Sequence, residues 1–134
     1  EDLRVNVALA GQQTQDGFAG ARDHMRRDQF AEALDYLKEN FNEPINTPEL
    51  AKIAGMSVSQ FERRFRRGLG SSPRQYLLRL RVDSAARLLT FTARPIARIS
   101  KECGFHDHAH FTRSFKKMMS MTPLSFRKRQ QGIT

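Results

Sequence analysis

A single cysteine, Cys103, stands in a chain of 134 residues, so no internal disulfide can form and no cysteine pair is available to a zinc ion. Proline and glycine are sparse, at 5 and 8, which excludes collagen-like and low-complexity chains. No apolar run approaches the roughly 18 to 20 residues that a membrane-crossing helix needs. The stretch from Val5 to Gly11 is too short and too poorly flanked for a signal peptide. The expectation is a soluble, intracellular chain. Sustained period-two alternation is missing, so strands are not expected. No Gly-rich phosphate loop, nucleophile elbow, H-E-x-x-H or matched carboxylate pair occurs, and nothing supports catalysis. No cofactor is expected.

What is present is a globular composition, 39% hydrophobic and 28% charged, in about one domain's worth of chain. The formal charge is +9, and it is unevenly spread. Residues 1 to 51 carry 5 basic and 10 acidic side chains, net −5, whereas residues 52 to 134 carry 18 basic and 4 acidic, net +14. A polyanion site therefore belongs to the last two thirds, because Lys and Arg that neutralise phosphates release condensed counterions. Arginine far outnumbers lysine, which favours planar, two-pronged contact with phosphate or guanine. Charge alone does not separate DNA, RNA and anionic lipid, and part of it is ordinary solvated surface. Opening on Glu1 instead of Met, the chain reads as a piece of a longer one.

Several stretches carry apolar residues at helical spacing, and the fold class expected is all-α. Residues 1–24, with Gly11, Gly17 and Gly20, read as a linker with a helical turn around Val5 to Leu9. A first helix from about Asp28 to Phe41 puts Phe30, Leu34, Leu37 and Phe41 on one stripe, with Asp35, Lys38 and Glu39 outside. Thr47, Pro48 and Glu49 form a helix start, with Thr47 as the cap, and that helix stops at Gly55. Only Met56 intervenes before Ser57, which with Gln60 makes a capping box for a helix to about Arg67. Gly68 and Gly70 are expected beyond its end. A second box, Ser72 and Gln75 with Pro73, opens a long helix through about Leu89 with Tyr76, Leu77, Leu80, Ser84 and Leu88 on one face. Pro95 starts a short helix with Ile96, Ile99 and Cys103 inward, stopped by Gly104. Asp107 caps a helix bearing Phe111 and Phe115, and Thr122 with Pro123 opens a last short one.

The two halves match at a constant offset. Ser57 and Asp107, Phe65 and Phe115, Pro73 and Pro123, and Tyr76 and Phe126 differ by 50, while Leu50 and Ile99, Ala54 and Cys103, and Gly55 and Gly104 differ by 49. The chain thus holds two helix, tight turn, helix units, the second turn one residue longer, with the long helix between them. If each second helix buries its Phe pair, its other face is polar. In the first unit that face holds Ser59, Gln60, Glu62, Arg63, Arg66 and Arg67; in the second, His106, His108, Ala109, His110, Thr112, Arg113, Lys116 and Lys117. The repeat aligns Arg63 with Arg113, where an arginine reaches guanine O6 and N7 if its helix lies in a major groove.

These residues resemble the AraC/XylS family of transcriptional regulators. The carrying motifs are Leu50-Ala51-Lys52-Ile53-Ala54-Gly55-Met56-Ser57, Phe65-Arg66-Arg67 with Gly70-x-Ser72-Pro73-x-x-Tyr76, and Pro95-Ile96 through Cys103-Gly104-Phe105. Phe111-x-Arg113-x-Phe115-Lys116-Lys117 and Thr122-Pro123-x-x-Phe126 complete them, so the match covers about residues 28–129. The resemblance implies two helix-turn-helix subdomains, homeodomain-like three-helix units, joined by a long central helix. The DNA-binding domain would span 25–130, with the first helix-turn-helix at about 47–67, the linking helix at about 72–89, the second helix-turn-helix at about 95–118 and a tail at 131–134. It further implies a bacterial, cytoplasmic, nucleoid-associated activator or repressor that binds double-stranded promoter DNA. RNA polymerase is an implied partner, and effector binding and dimerisation are implied for a sensor domain preceding residues 1–24. Carried over by position, the base readers are Ser59, Glu62 and Arg63 in the first recognition helix and His108, Ala109, His110 and Arg113 in the second. Phosphate contacts fall to Ser57, Gln60, Arg66, Arg67, Asp107, Thr112, Lys116 and Lys117. Two departures stand out: Ser120 replaces the family's usual helix-ending Gly and implies an altered helix end, and Ala109 replaces a small polar residue.

Other readings of the same residues differ in class. His106, His108 and His110 suggest a metal cluster in linear order, but alternate residues on a helix point about 200 degrees apart. They read better as polar reader or helix-start residues. Cys103 and the methionines Met118, Met119 and Met121 read as core. Beside sequence-specific DNA binding stands a basic helical adaptor that mainly holds a protein such as RNA polymerase, with non-specific nucleic-acid affinity. A membrane-surface or RNA-binding domain lacks the exposed apolar stripe or aromatic platforms it needs.

Overall fold

A computed structural model describes residues 20–132, with side chains from Gln29 onward. The turn expected around Val5 to Leu9 and most of the 1–24 linker lie outside the described residues. Seven helices and no strand occur among the described residues: α1 Gly20–Glu39, α2 Thr47–Ile53, α3 Val58–Leu69, α4 Pro73–Phe91, α5 Ile96–Glu102, α6 His108–Met119 and α7 Pro123–Gln130. None is long and apolar enough to cross a membrane. The chain divides into two compact units, one holding α1 and Ile45–Tyr76, the other Phe41–Pro44 and the chain from Leu77 onward.

The first unit is a three-helix arrangement around aromatic rings. Phe30, Ala33, Leu34 and Leu37 of α1, Leu50 and Ala51 of α2, and Phe61, Phe65 and Leu69 of α3 are buried. Phe61 and Phe65 lie 5.6 Å apart, Phe30 contacts both, and Tyr76 closes the cluster edge-on against Phe65 at 5.4 Å. Such tilted and edge-on pairs are the favoured aromatic geometries. Helix α1 starts at Gly20, well before the expected Asp28, so the linker reading of residues 20–24 gives way to helix. Phe41 lies past the end of α1 and belongs to the second unit, not to the stripe of Phe30, Leu34 and Leu37.

Caps delimit α2 and α3. The cap of α2 is Asn46, whose Oδ1 accepts from Glu49 N at 2.9 Å, with Thr47 already helical. Asparagine caps better than threonine, and both stand at the boundary. Ser57 and Gln60 form the expected capping box, at 3.1 and 3.2 Å. Helix α3 runs on to Leu69 with Gly68 inside it, and Gly70 closes it at φ 77°.

The second unit repeats this arrangement. Val82, Ala85, Leu89, Ile99, Cys103, Phe105, Phe111 and Phe115 form the core, with Met118, Met119 and Phe126 packed against it. Phe111 and Phe115 lie 5.8 Å apart, and Phe126 meets Phe115 edge-on at 5.3 Å, as Tyr76 meets Phe65. The buried positions of α4 are Tyr76, Leu77, Val82, Ala85 and Leu89; Leu80, Ser84 and Leu88 are only half-buried. Pro95 is the cap of α5, and Ile96 its first helical residue.

Ser120 ends α6 as a glycine would, in the left-handed region at φ 65°, its N–H donating to Lys116 O at 2.8 Å. The helix end is therefore preserved and the cost moves into the backbone, since a Cβ in this region costs roughly 1 to 2 kcal/mol. Ser120→Gly is expected to stabilise the second unit by about 0.5 to 1 kcal/mol, the strain relieved less the entropy of glycine in the unfolded chain. A denaturation midpoint that falls in this variant would contradict the strain.

Candidate nucleic-acid interface

Each helix-turn-helix turn is built from one backbone pattern. In the first, Gly55 N–H donates to Lys52 O at 3.1 Å and Met56 N–H to Ala51 O at 3.0 Å; in the second, Gly104 donates to Lys101 O and Phe105 to Ser100 O, both at 3.0 Å. The glycines take φ 68° and 99°. These turns aim α3 and α6 so that Phe61 and Phe65, or Phe111 and Phe115, point inward. The opposite faces stay in solvent.

On α3, Ser59, Gln60, Glu62, Arg63, Arg66 and Arg67 are all exposed. Ser59, Glu62, Arg63, Arg66 and Arg67 line one shallow groove with Ser72, and Arg63 and Arg67 also line a second with Gly55, Met56, Gln60 and Arg64. On α6, His108, Ala109, Arg113, Lys116 and Lys117 are exposed. Ser59, Arg63, Arg66 and Arg67 correspond to Ala109, Arg113, Lys116 and Lys117 at a constant offset of 50. Spacings of four and seven or eight place each set on one helical face.

The remaining predicted residues are engaged locally. Ser57 Oγ and Gln60 Oε1 hold each other's backbone N–H groups, and both residues are exposed. The Asp107 carboxylate accepts from Ala109 N at 2.9 Å at the start of α6. Thr112 is half-buried and its hydroxyl donates to His108 O at 3.1 Å. His110 is half-buried, edge-on to Phe105 at 5.5 Å, whereas His106 is exposed before the helix. Among the described residues no three of His, Cys, Asp and Glu gather as a metal-ligand set.

Sequence reasoning does not separate the arginines that face solvent from those that brace the fold. The Arg64 guanidinium lies over the Phe30 ring at 4.8 Å, joining α3 to α1. Arg81 donates to Phe41 O at 2.7 Å and Glu43 O at 3.0 Å, and lies 5.9 Å from the Phe105 ring centre. Arg94 and Arg98 both pair with Glu102 at 2.8 Å. The Arg98 hydrogen bond, with Arg94 adding to it against partial desolvation, holds the Glu102 carboxyl below the usual carboxylate range. Burial pushes the Cys103 thiol up, a hydrogen bond with Ser84 opposing it, which suits a core residue.

The helix-turn-helix domain family model matches residues 50–129, which takes in α3 through α6 and most of α7. The HTH-type transcriptional regulator ArgR of Pseudomonas aeruginosa is 33% identical over 101 residues, 75% of this chain and 31% of that protein. The probable transcriptional regulator LumQ of Photobacterium leiognathi is 30% identical over 91 residues, 68% of this chain and 37% of that protein. The chain thus spans about a third of the length of the curated relatives it matches. Among solved structures, the DNA-binding domain of the global transcriptional factor AdpA, in complex with a target DNA, superposes with a TM-score of 0.75 at 30% identity, covering 78% of this chain and 94% of that one. A transcriptional regulator from Chromobacterium violaceum, described as containing an AraC-type DNA-binding domain, gives 0.71 at 33% identity, covering 78% and 93%. With the paired turns, the two aromatic cores and the two basic helix faces, these likenesses show that the chain belongs to the helix-turn-helix domain family, as an AraC-type DNA-binding domain.

Proposed function

We propose that this chain is the sequence-reading part of a transcription regulator, with α3 and α6 each entering a major groove of one bipartite duplex site. The observation that carries this is the common register of two exposed donor-rich faces, Ser59, Arg63, Arg66 and Arg67 against Ala109, Arg113, Lys116 and Lys117. In B-DNA neighbouring major-groove faces recur about every 34 Å, so two helices of one chain read two short motifs without a symmetric partner. Arg63 and Arg113 pair with guanine O6 and N7, and Glu62 accepts from a cytosine amino group. Arg66, Arg67, Lys116 and Lys117 neutralise phosphates. Ala109 offers only its methyl, which suits a thymine methyl. Where the grooves do not match the readers, bending the DNA costs about 1 to 6 kcal/mol. Effector recognition and dimerisation fall, on this reading, to further parts of the protein, in keeping with relatives of which the matched region is only about a third.

Selection of bound duplexes from a random library at near-physiological salt tests the reading. Two short motifs about one helical turn apart are expected. No enrichment despite salt-sensitive binding would sink it, and would favour the adaptor that mainly holds a protein. On the selected site, Arg63→Ala and Arg113→Ala should each cost about 1 to 3 kcal/mol, roughly 5- to 150-fold, and relax preference at one base pair. Lys116→Ala should instead weaken all sequences alike and lower the salt slope by about one.

A further inference from the structure

Helices α3 and α6 close on left-handed residues, Gly70 and Ser120. The end of the linking helix α4 is held differently, by side chains from 35 to 42 residues downstream. Arg127 Nε donates to Leu89 O at 3.3 Å and its Nη2 to Thr92 O at 3.1 Å. Gln131 Nε2 donates to the same two carbonyls, at 2.9 and 3.1 Å. The last turn of a helix leaves carbonyls without partners and a partial negative charge, so a guanidinium placed there answers both. Beside Arg127, Phe126 meets Phe115 of α6 edge-on at 5.3 Å. The last helix therefore braces the end of α4 on one side and the buried side of α6 on the other.

We propose that Arg127, supported by Gln131, is a positioning residue for the second reader. It stands in the basic run Arg127-Lys128-Arg129. Lys128 and Arg129 are exposed, but Arg127 is half-buried with its fork on two carbonyls. By fixing α7 against α4 it sets the Phe126 ring under Phe115, and so the tilt of the face that carries Arg113. The consequence for base reading rests on the proposal that α6 enters a major groove.

Arg127→Lys keeps the charge and removes the two-pronged geometry, Gln131→Ala is a milder disturbance, and Lys128→Ala is the exposed control. Amide hydrogen exchange without DNA should quicken about tenfold or more in α6 and α7 for Arg127→Lys, and less for Gln131→Ala, with α3 unchanged. Lys128→Ala should alter neither. In binding titrations against the selected duplex and duplexes scrambled in either half, Arg127→Lys should lose preference for the half read by α6 while its salt slope stays at the wild-type value. Unchanged exchange in α6 for both Arg127→Lys and Gln131→Ala would overturn the proposal. So would an Arg127→Lys protein that behaves as wild type while Arg127→Ala weakens every duplex and lowers the slope by about one, the signature of a phosphate contact. If wild type binds scrambled duplexes as tightly as the selected one, the base-reading proposal fails, and the exchange data still decide the role of Arg127.

Discussion

Phe115→Ala is expected to unfold the second unit while leaving the first helical. Phe115 is fully buried and touches Phe111 at 5.8 Å and Phe126 at 5.3 Å, so truncation removes ring contacts to two neighbours and leaves a cavity. Such changes cost about 3 to 5 kcal/mol. A unit of some 60 residues has only about 3 to 9 kcal/mol to lose, at 0.05 to 0.15 per residue. Phe65→Ala is the counterpart, since Phe65 is equally buried among Phe30, Phe61 and Tyr76. Hydrogen exchange resolved by helix distinguishes the two: Phe115→Ala should strip protection from α5, α6 and α7, and Phe65→Ala from α1, α2 and α3. Loss of protection throughout the chain in both variants would mean that the two units fold as one. Retention of a near-wild-type midpoint in either would mean that the rings do not carry the core.

The aromatic repeat that makes these variants informative is visible in the sequence, because Phe65 and Phe115, and Tyr76 and Phe126, share one offset and helical spacing fixes which face turns inward. The capping boxes at Ser57 and Ser72 are equally local, needing a hydroxyl and an amide three residues apart, and both form. Less legible is the inward side of α4. Its sequence is apolar on several sides, with Leu77, Leu78, Leu80, Val82, Ala85, Leu88 and Leu89, so periodicity admits a stripe through Leu80, Ser84 and Leu88 as readily as the buried one through Val82, Ala85 and Leu89. The early start of α1 is hidden because Arg22, Asp23, Arg26, Arg27 and Asp28 interrupt any apolar stripe. Roles within the basic surplus are the least legible. Arg63 and Arg64 are neighbours, yet one lies in solvent and the other over Phe30. The carbonyls that engage Arg81 and Arg127 lie 35 to 40 residues away, beyond any local pattern.

Gly104→Ala should be among the most damaging single-methyl changes in the chain. Gly104 sits at φ 99°, where a side chain is strained whatever the space, and a Cβ there would lie 3.0 Å from Phe41 O, 3.0 Å from Asn42 Cα and 2.8 Å from Arg81 Nε. Two of those atoms are backbone, and Arg81 is held in place by its bonds to Phe41 O and Glu43 O. No cheap relief is at hand. Backbone strain of about 1 to 3 kcal/mol and overpacking of about 1 to 3 kcal/mol together give a loss of roughly 2 to 6 kcal/mol. Gly70→Ala isolates the first term, since Gly70 has φ 77° but no heavy atom within 4 Å of the added carbon. Chemical denaturation followed by helical circular dichroism should therefore rank wild type above Gly70→Ala and Gly70→Ala above Gly104→Ala. Equal losses in the two variants would mean that the Phe41 to Glu43 segment yields to the methyl. The clamp between Arg81 and that segment would then contribute little to holding the second turn, and α6 would be aimed by its aromatic core alone.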